Sequence, residues 1–143
     1  MGALTIYLDT SIVVPLFLPD PFVDRGRAFF ATGPVDLGVS DLVSAEFASV
    51  VGIKVRKREM SAASGRAAFA NFDNWTGRRT VSAEMSPDDV RLAARMIRRL
   101  DLNLRAPDAI HIAIARRLGA ELATFDTRMA DCARALGVPV VAI

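Results

Sequence analysis

Apolar residues recur along the chain in two rhythms. Short dense runs over 4–8, 35–39, 80–83, 121–125 and 138–143 predict strands. The stretches between them, with apolar positions three and four apart, predict helices over 12–18, 22–32, 41–58, 61–76, 86–100, 107–118 and 128–136. Turn chemistry agrees at several boundaries. Gly33-Pro34 ends the second helix; Ser86-Pro87-Asp88-Asp89 gives the fifth a cap, a first-turn proline and first-turn acids; Gly119 and Gly137 stop the last two. Thr10 or Ser11, or Asp9 itself, can cap the first helix and Thr127 the last. Pro139 removes a backbone donor from the closing run and places that strand at an edge. Strands alternating with helices imply a three-layer α/β/α sandwich around a parallel sheet.

The faces of the helices carry further information. Over 41–58, Leu42, Glu46, Val50 and Ile53 fall at spacings of four, four and three, which puts Glu46 inside the apolar stripe. A carboxylate there needs an arginine partner or a metal. Over 86–100, Val90, Ala93, Ala94 and Ile97 form the core side, and Arg91, Arg95, Arg98 and Arg99 a basic stripe. Phe69, Phe72 and Trp75 line one side of 61–76, as core or as a contact between helices. Ile110, Ile112, Ile114 and Leu118 make 107–118 apolar on most of its surface, so it is expected to be buried, with Arg116 and Arg117 at its wet end.

Composition narrows the class. The 143 residues read as one domain, 1–143, and no apolar run approaches the roughly 20 residues of a membrane span. The longest, 4–18, is broken by Asp9 and Pro15 and lacks a basic leader, so the protein is expected to be cytoplasmic. A single cysteine and a single histidine exclude an internal disulfide and a Cys/His zinc site. The net charge of +2 hides an asymmetry: residues 54–117 hold 14 basic and 7 acidic side chains, the remainder 4 and 9. The basic side is almost all arginine, which permits a nucleic-acid partner without requiring one.

Four acids are placed for chemistry. Asp9 and Asp126 each follow a strand run, Asp108 stands in the first turn of a helix, and Glu46 interrupts an apolar stripe. In parallel α/β sheets ligands bind beyond the carboxyl ends of strands. Acids converging there raise one another's pKa unless divalent cations hold them, and all-oxygen ligands select Mg²⁺ or Mn²⁺. Such a site suits phosphodiester hydrolysis, with one ion activating water and a second, about 4 Å away, stabilising the leaving oxygen. His111 lies one helical turn after Asp108, as a hydrogen-bonded packing residue or as a contact to substrate or to water on the metal; Arg128 follows Asp126 in the same block. Asp131 is a surface partner for Arg128 or Arg134. An aspartyl-phosphate enzyme is excluded because position 11 is Ser rather than a second aspartate, and a receiver domain because no acidic pair precedes Asp9 and no late lysine follows.

The blocks YLDTS at 7–11, SAEF at 44–47, RAPDAIHIA at 105–113, LATFDTR at 122–128 and the closing ALGVPV carry a resemblance over nearly the whole chain. They are similar to the PIN domain, most closely to VapC-type ribonuclease toxins of toxin–antitoxin pairs. The resemblance implies a five-stranded parallel sheet, a homodimer, Mg²⁺ or Mn²⁺ as cofactor, an RNA substrate and a small cognate antitoxin. It assigns Asp9 and Asp108 as metal ligands, Glu46 as a ligand or an orienter of the attacking water, and Asp126 as a ligand, often of the second ion. Thr10 or Ser11, and Thr124, would hold the carboxylates or the water; many relatives carry Asn where this chain has Ser11. The helices over 41–76 would help form the dimer and the antitoxin groove. Two other functions fit the same residues: a PIN nuclease of RNA processing or quality control, and a metal- or RNA-binding module without turnover.

Overall fold

The computed structural model describes residues 4–143. In chain order the elements are β1 (Ile6–Leu8), α1 (Thr10–Phe17), α2 (Val23–Ala31), β2 (Leu37–Ser40), α3 (Asp41–Arg56), α4 (Ala62–Arg79), β3 (Val81–Ala83), α5 (Pro87–Ile97), α6 (Ala106–Leu118), β4 (Glu121–Ala123) and α7 (Thr127–Ala135). The four strands form one parallel sheet in the order β3-β2-β1-β4. β1 is central and pairs Tyr7 with Gly38 on one side and with Leu122 on the other.

The expected fifth strand is reduced to one parallel bridge, Leu122 to Val140, on the outer side of β4. Leu122 N–H reaches the Pro139 carbonyl at 2.9 Å and Val141 N–H returns to the Leu122 carbonyl at 2.9 Å. Pro139 has no N–H to extend the pairing, so the segment touches the edge once and leaves.

Side-chain alternation along the strands divides the interior in two. Tyr7 and Leu122 face α5, α6 and α7 with Ala93, Met96, Ile112, Ile114, Met129 and Ala133. Leu8 and Ala123 face α1 to α4 with Ile12, Val13, Phe29, Val43, Phe47 and Phe72. Helices therefore cover both sides of the sheet, as expected, and α6 is buried at Ala109 and from His111 to Ala115, with Ile110 partly buried. Gly119 ends α6 in the left-handed region at φ 63°, where its lack of a Cβ removes the strain.

Two helix faces differ from the expected ones. On α3 the buried residues are Val43, Phe47 and Val51, and Ile53 is exposed, so Glu46 borders the core instead of lying within it. On α5 the buried residues are Asp89, Ala93 and Met96, while Val90 is exposed. In each case the apolar stripe in sequence was broad enough to accept a rotation of one residue, and the packing partner chose the other. α4 also runs on through Arg78 and Arg79, past the 61–76 that the pattern predicts.

Candidate active site

β1 and β4 lie side by side, and their carboxyl ends place Asp9 and Asp126 at the start of α1 and α7. Each aspartate is itself the N-cap. Asp9 accepts from Ile12 N–H at 3.3 Å and Asp126 from Met129 N–H at 3.1 Å, so Thr10, Ser11 and Thr127 do not cap these helices. Ser11 and Thr124 serve the carboxylates instead: Ser11 Oγ donates to Asp9 Oδ1 at 2.7 Å and Thr124 Oγ1 to Asp9 Oδ2 at 2.6 Å. Thr124 Oγ1 also accepts from Asp126 N–H at 3.0 Å, and Ser11 Oγ from Phe125 N–H at 2.9 Å, which ties the two strand ends together.

α6 and α3 supply the other two acids. Asp108 opens α6 after Pro107, and Arg128 Nη2 stands 3.3 Å from its Oδ2 and 3.9 Å from Asp126 Oδ2. One turn on, His111 is buried and its Nε2 meets Glu46 Oε1 at 2.5 Å. Thr10 Oγ1 donates to the same oxygen at 2.8 Å. Hydrogen bonds thus link Asp9 through Thr124 to the Asp126 backbone, Arg128 stands beside both Asp126 and Asp108, and one turn along α6 from Asp108 His111 meets Glu46, which Thr10, the neighbour of Asp9, also bonds.

The electrostatics of the site are uneven. Burial pushes the Asp9 carboxyl above its usual range, against the lowering effect of Thr124, Ser11, nearby His111 and the Ile12 N–H. Burial also raises Asp108, and the neighbouring charge of Asp126 adds to it, opposed by Arg128, Arg105 and His111. Glu46 is partly desolvated, but its hydrogen bonds to His111 and Thr10 outweigh that and hold it below the usual range. Two acids therefore resist ionisation and gain from an added positive charge.

Two arginines stand beside the acids: Arg128, a candidate in the sequence, and Arg105 both face Asp108. Asp131 pairs with Arg134 at 3.4 Å. For a divalent ion the donors are right in kind, being carboxylate and hydroxyl oxygens. They are not assembled around a point, since among the described residues no three His, Cys, Asp or Glu side chains form a ready cluster. Arg128 lies in the gap between Asp108 and Asp126.

This arrangement of strand-end aspartates, a helix-start aspartate and a helix-face glutamate occurs on a chain whose residues 6–135 match the family model described as the PIN domain. The chain belongs to the PIN-domain family. A curated relative, Ribonuclease VapC46 of Mycobacterium tuberculosis, is 35% identical over 140 residues, which is 96% of each chain. Among solved structures, this PIN domain resembles that of Mycobacterium tuberculosis VapC20, a Sarcin-Ricin loop cleaving toxin, with a TM-score of 0.74 at 20% identity, covering 97% of this chain and 100% of that one. It also resembles VapBC2 from Rickettsia felis bound to a promoter DNA fragment, with a TM-score of 0.66 at 17% identity over 96% and 98% of the two chains. The α/β sandwich with a parallel sheet and helices on both sides is thus the PIN fold, with the edge strand shortened.

Sequence reasoning missed three members of this PIN site: Tyr7, Ser40 and Arg105. Tyr7 Oη lies 2.7 Å from both Ser40 Oγ and His111 Nδ1. A signal was present, since the single tyrosine of the chain falls in a strand of otherwise apolar residues, where a buried hydroxyl must find a partner. Its phenol is pushed up by burial, so it acts as a neutral hydrogen-bonding group.

Proposed function

We propose that this PIN domain is an RNA endonuclease that acts as the toxin of a VapBC-type pair and hydrolyses phosphodiester bonds with Mg²⁺ or Mn²⁺. The reading is supported by the chain's 35% identity to a ribonuclease over nearly its whole length, with Asp9, Glu46, Asp108 and Asp126 linked through Thr10, Thr124, Arg128 and His111. Asp9, Asp108 and Asp126 are the residues to hold a cation, Asp9 through a carboxylate whose Oδ1 accepts from Ser11 and whose Oδ2 accepts from Thr124. A bound divalent ion there supplies Lewis-acid activation of water and stabilisation of the leaving oxygen.

The chain's own groups do the rest. Glu46, held at Oε1 by Thr10 and His111, offers its other oxygen to a proton of the attacking water. Arg128 and Arg105 stand beside Asp108, where they can meet the phosphate that approaches the acids. Binding of substrate would draw Arg128 from the acids to the phosphate, which opens the gap between Asp108 and Asp126.

An antitoxin partner and a homodimer belong to the same reading. A groove lined by Phe17, Pro19, Met60, Ala67 and Ala68 runs between α1, α3 and α4, of which the resemblance assigns α3 and α4 to these contacts. No helix among the described residues is long and apolar enough to cross a membrane, in keeping with a protein that works on cytoplasmic RNA.

The test is cleavage of a total RNA pool by purified, antitoxin-free protein with Mg²⁺ or Mn²⁺, with EDTA, and beside Asp9→Asn. Discrete fragments that disappear with EDTA and with the variant are expected. Intact cleavage by the variant would remove Asp9 from the chemistry, and metal binding without cleavage of any RNA would favour a binding module.

A further inference from the structure

Behind Glu46 runs a line of buried polar groups that extends well past its first partner. Val43 N–H donates to Ser40 Oγ at 3.3 Å; Ser40 Oγ and Tyr7 Oη are 2.7 Å apart; Tyr7 Oη and His111 Nδ1 are 2.7 Å apart; His111 Nε2 reaches Glu46 Oε1 at 2.5 Å. Ser40 is the N-cap of α3 and Glu46 lies in the second turn of the same helix. The line therefore leaves α3, crosses the sheet through β1, passes through α6 and returns to α3. Tyr7, Ser40 and His111 are each no more than 2% exposed.

Counting protons gives the line one direction. Ser40 Oγ accepts from Val43 and has no acceptor for its single proton among the described residues other than Tyr7 Oη, so that proton goes to Tyr7. The Tyr7 proton then goes to Nδ1 of His111, which leaves the imidazole proton on Nε2, aimed at Glu46. The reverse direction would leave the Ser40 hydroxyl proton without an acceptor among the described residues, which burial penalises. At the far end both donors, His111 Nε2 and Thr10 Oγ1, meet Oε1, and Oε2 of Glu46 receives no hydrogen bond among the described residues.

We propose that His111 is a positioning residue that anchors Glu46 by Oε1 and so presents Oε2 alone to the crevice, with Tyr7 and Ser40 fixing which imidazole nitrogen carries the proton. This rests on the nuclease reading of the site. A half-buried glutamate free to rotate would exchange its two oxygens and lose the alignment on which an intramolecular proton transfer depends. His111 itself touches no reacting atom; its effect passes through Glu46.

Two measurements test this. The chain has one histidine, so the imidazole ¹⁵N spectrum of the metal-free protein reports a single residue. We expect a protonated Nε2 and an unprotonated Nδ1, with Glu46→Gln shifting the Nε2 signal and Tyr7→Phe the Nδ1 signal. A proton resident on Nδ1, or an Nε2 signal indifferent to Glu46→Gln, overturns the proposal. The second measurement compares amide replacements. His111→Gln can place a donor near the Nε2 position and keep Glu46 anchored, whereas His111→Asn reaches only the Nδ1 position. His111→Asn should lower kcat about 10- to 100-fold with KM nearly unchanged, and His111→Gln should recover most of that loss. Equal losses for Asn and Gln, or a loss that follows the melting temperature of each variant, assign His111 to packing and overturn the proposal. A wild-type chain that cleaves no RNA refutes the nuclease reading instead, and the spectrum still decides how Glu46 is held.

Discussion

Asp9 and Asp89 are both buried aspartates, 2% and 1% exposed, yet they are held in opposite ways. Asp89 closes the capping box of α5 through Ser86 N–H at 2.7 Å and receives the fork of Arg117 at 2.8 and 3.0 Å. Its charge is answered by the protein itself. Asp9 is held by two hydroxyls and one backbone N–H, and among the described residues no lysine or arginine pairs with it. Burial of a carboxylate with neutral donors leaves it short of positive charge, and a cation from solution can supply that. One aspartate belongs to the frame and the other to the site.

The sharpest way to break this contrast is to neutralise each residue in turn. Asp9→Asn should lower RNA cleavage about 10³-fold, equivalent to about 4 kcal/mol in the barrier, measured as initial rates at saturating Mg²⁺. Arg117→Met, which strips Asp89 of its fork, should leave cleavage per folded molecule unchanged and cost about 2–3 kcal/mol in denaturant unfolding. If Arg117→Met lost activity without loss of stability, the two regions would not be separable.

A smaller effect runs in the opposite sense. In the metal-free protein Asp9 and Asp108 have folded pKa values above their unfolded ones, so the folded state binds more protons. Stability should therefore rise as pH falls from neutral through those folded values, and level off at the ordinary carboxylate range. Glu46, lowered in the fold, carries the opposite sign and blunts the gain. Asp9→Asn should remove part of this pH dependence and raise the melting temperature at neutral pH by roughly 2–4 °C in EDTA. A lower melting temperature for the variant would show that the Asp9 charge stabilises the fold.

Much of this was legible in the chain. Asp9 and Asp126 stood out because an apolar strand run stops at each of them, and the strand-end rule gives such positions a meaning. Asp9 was already one candidate cap of α1 beside Thr10 and Ser11, whereas the cap of α7 fell to Thr127 in sequence because hydrogen bonding to the first turn can come from either it or Asp126. Glu46 was located on the right helix, but its depth was overestimated because Ile53, counted as core, faces outward. Tyr7, Ser40 and His111 meet across 104 residues of sequence separation, and no local pattern encodes such a contact. Arg128 shows the same limit. Its position beside Asp126 in sequence is plain, but its reach to Asp108 depends on how α6 and α7 pack.

Arg128 carries the smallest expected effect. Its pairs with Asp108 and Asp126 are partly exposed, so Arg128→Gln should change metal-free stability by no more than about 1 kcal/mol. Two acids left facing each other attract a cation more strongly, so the same variant should tighten Mn²⁺ binding by about threefold. Weaker Mn²⁺ binding would mean that Arg128 holds the acids in place for the metal rather than standing in for it.

The central claim, that a buried aspartate held by neutral donors is completed from solution, is tested most directly by titrating Mn²⁺ into the wild type, Asp9→Asn and Arg117→Met under identical conditions. We expect wild type and Arg117→Met to bind alike and Asp9→Asn to bind about 100-fold more weakly. Equal binding by Asp9→Asn and wild type would contradict it.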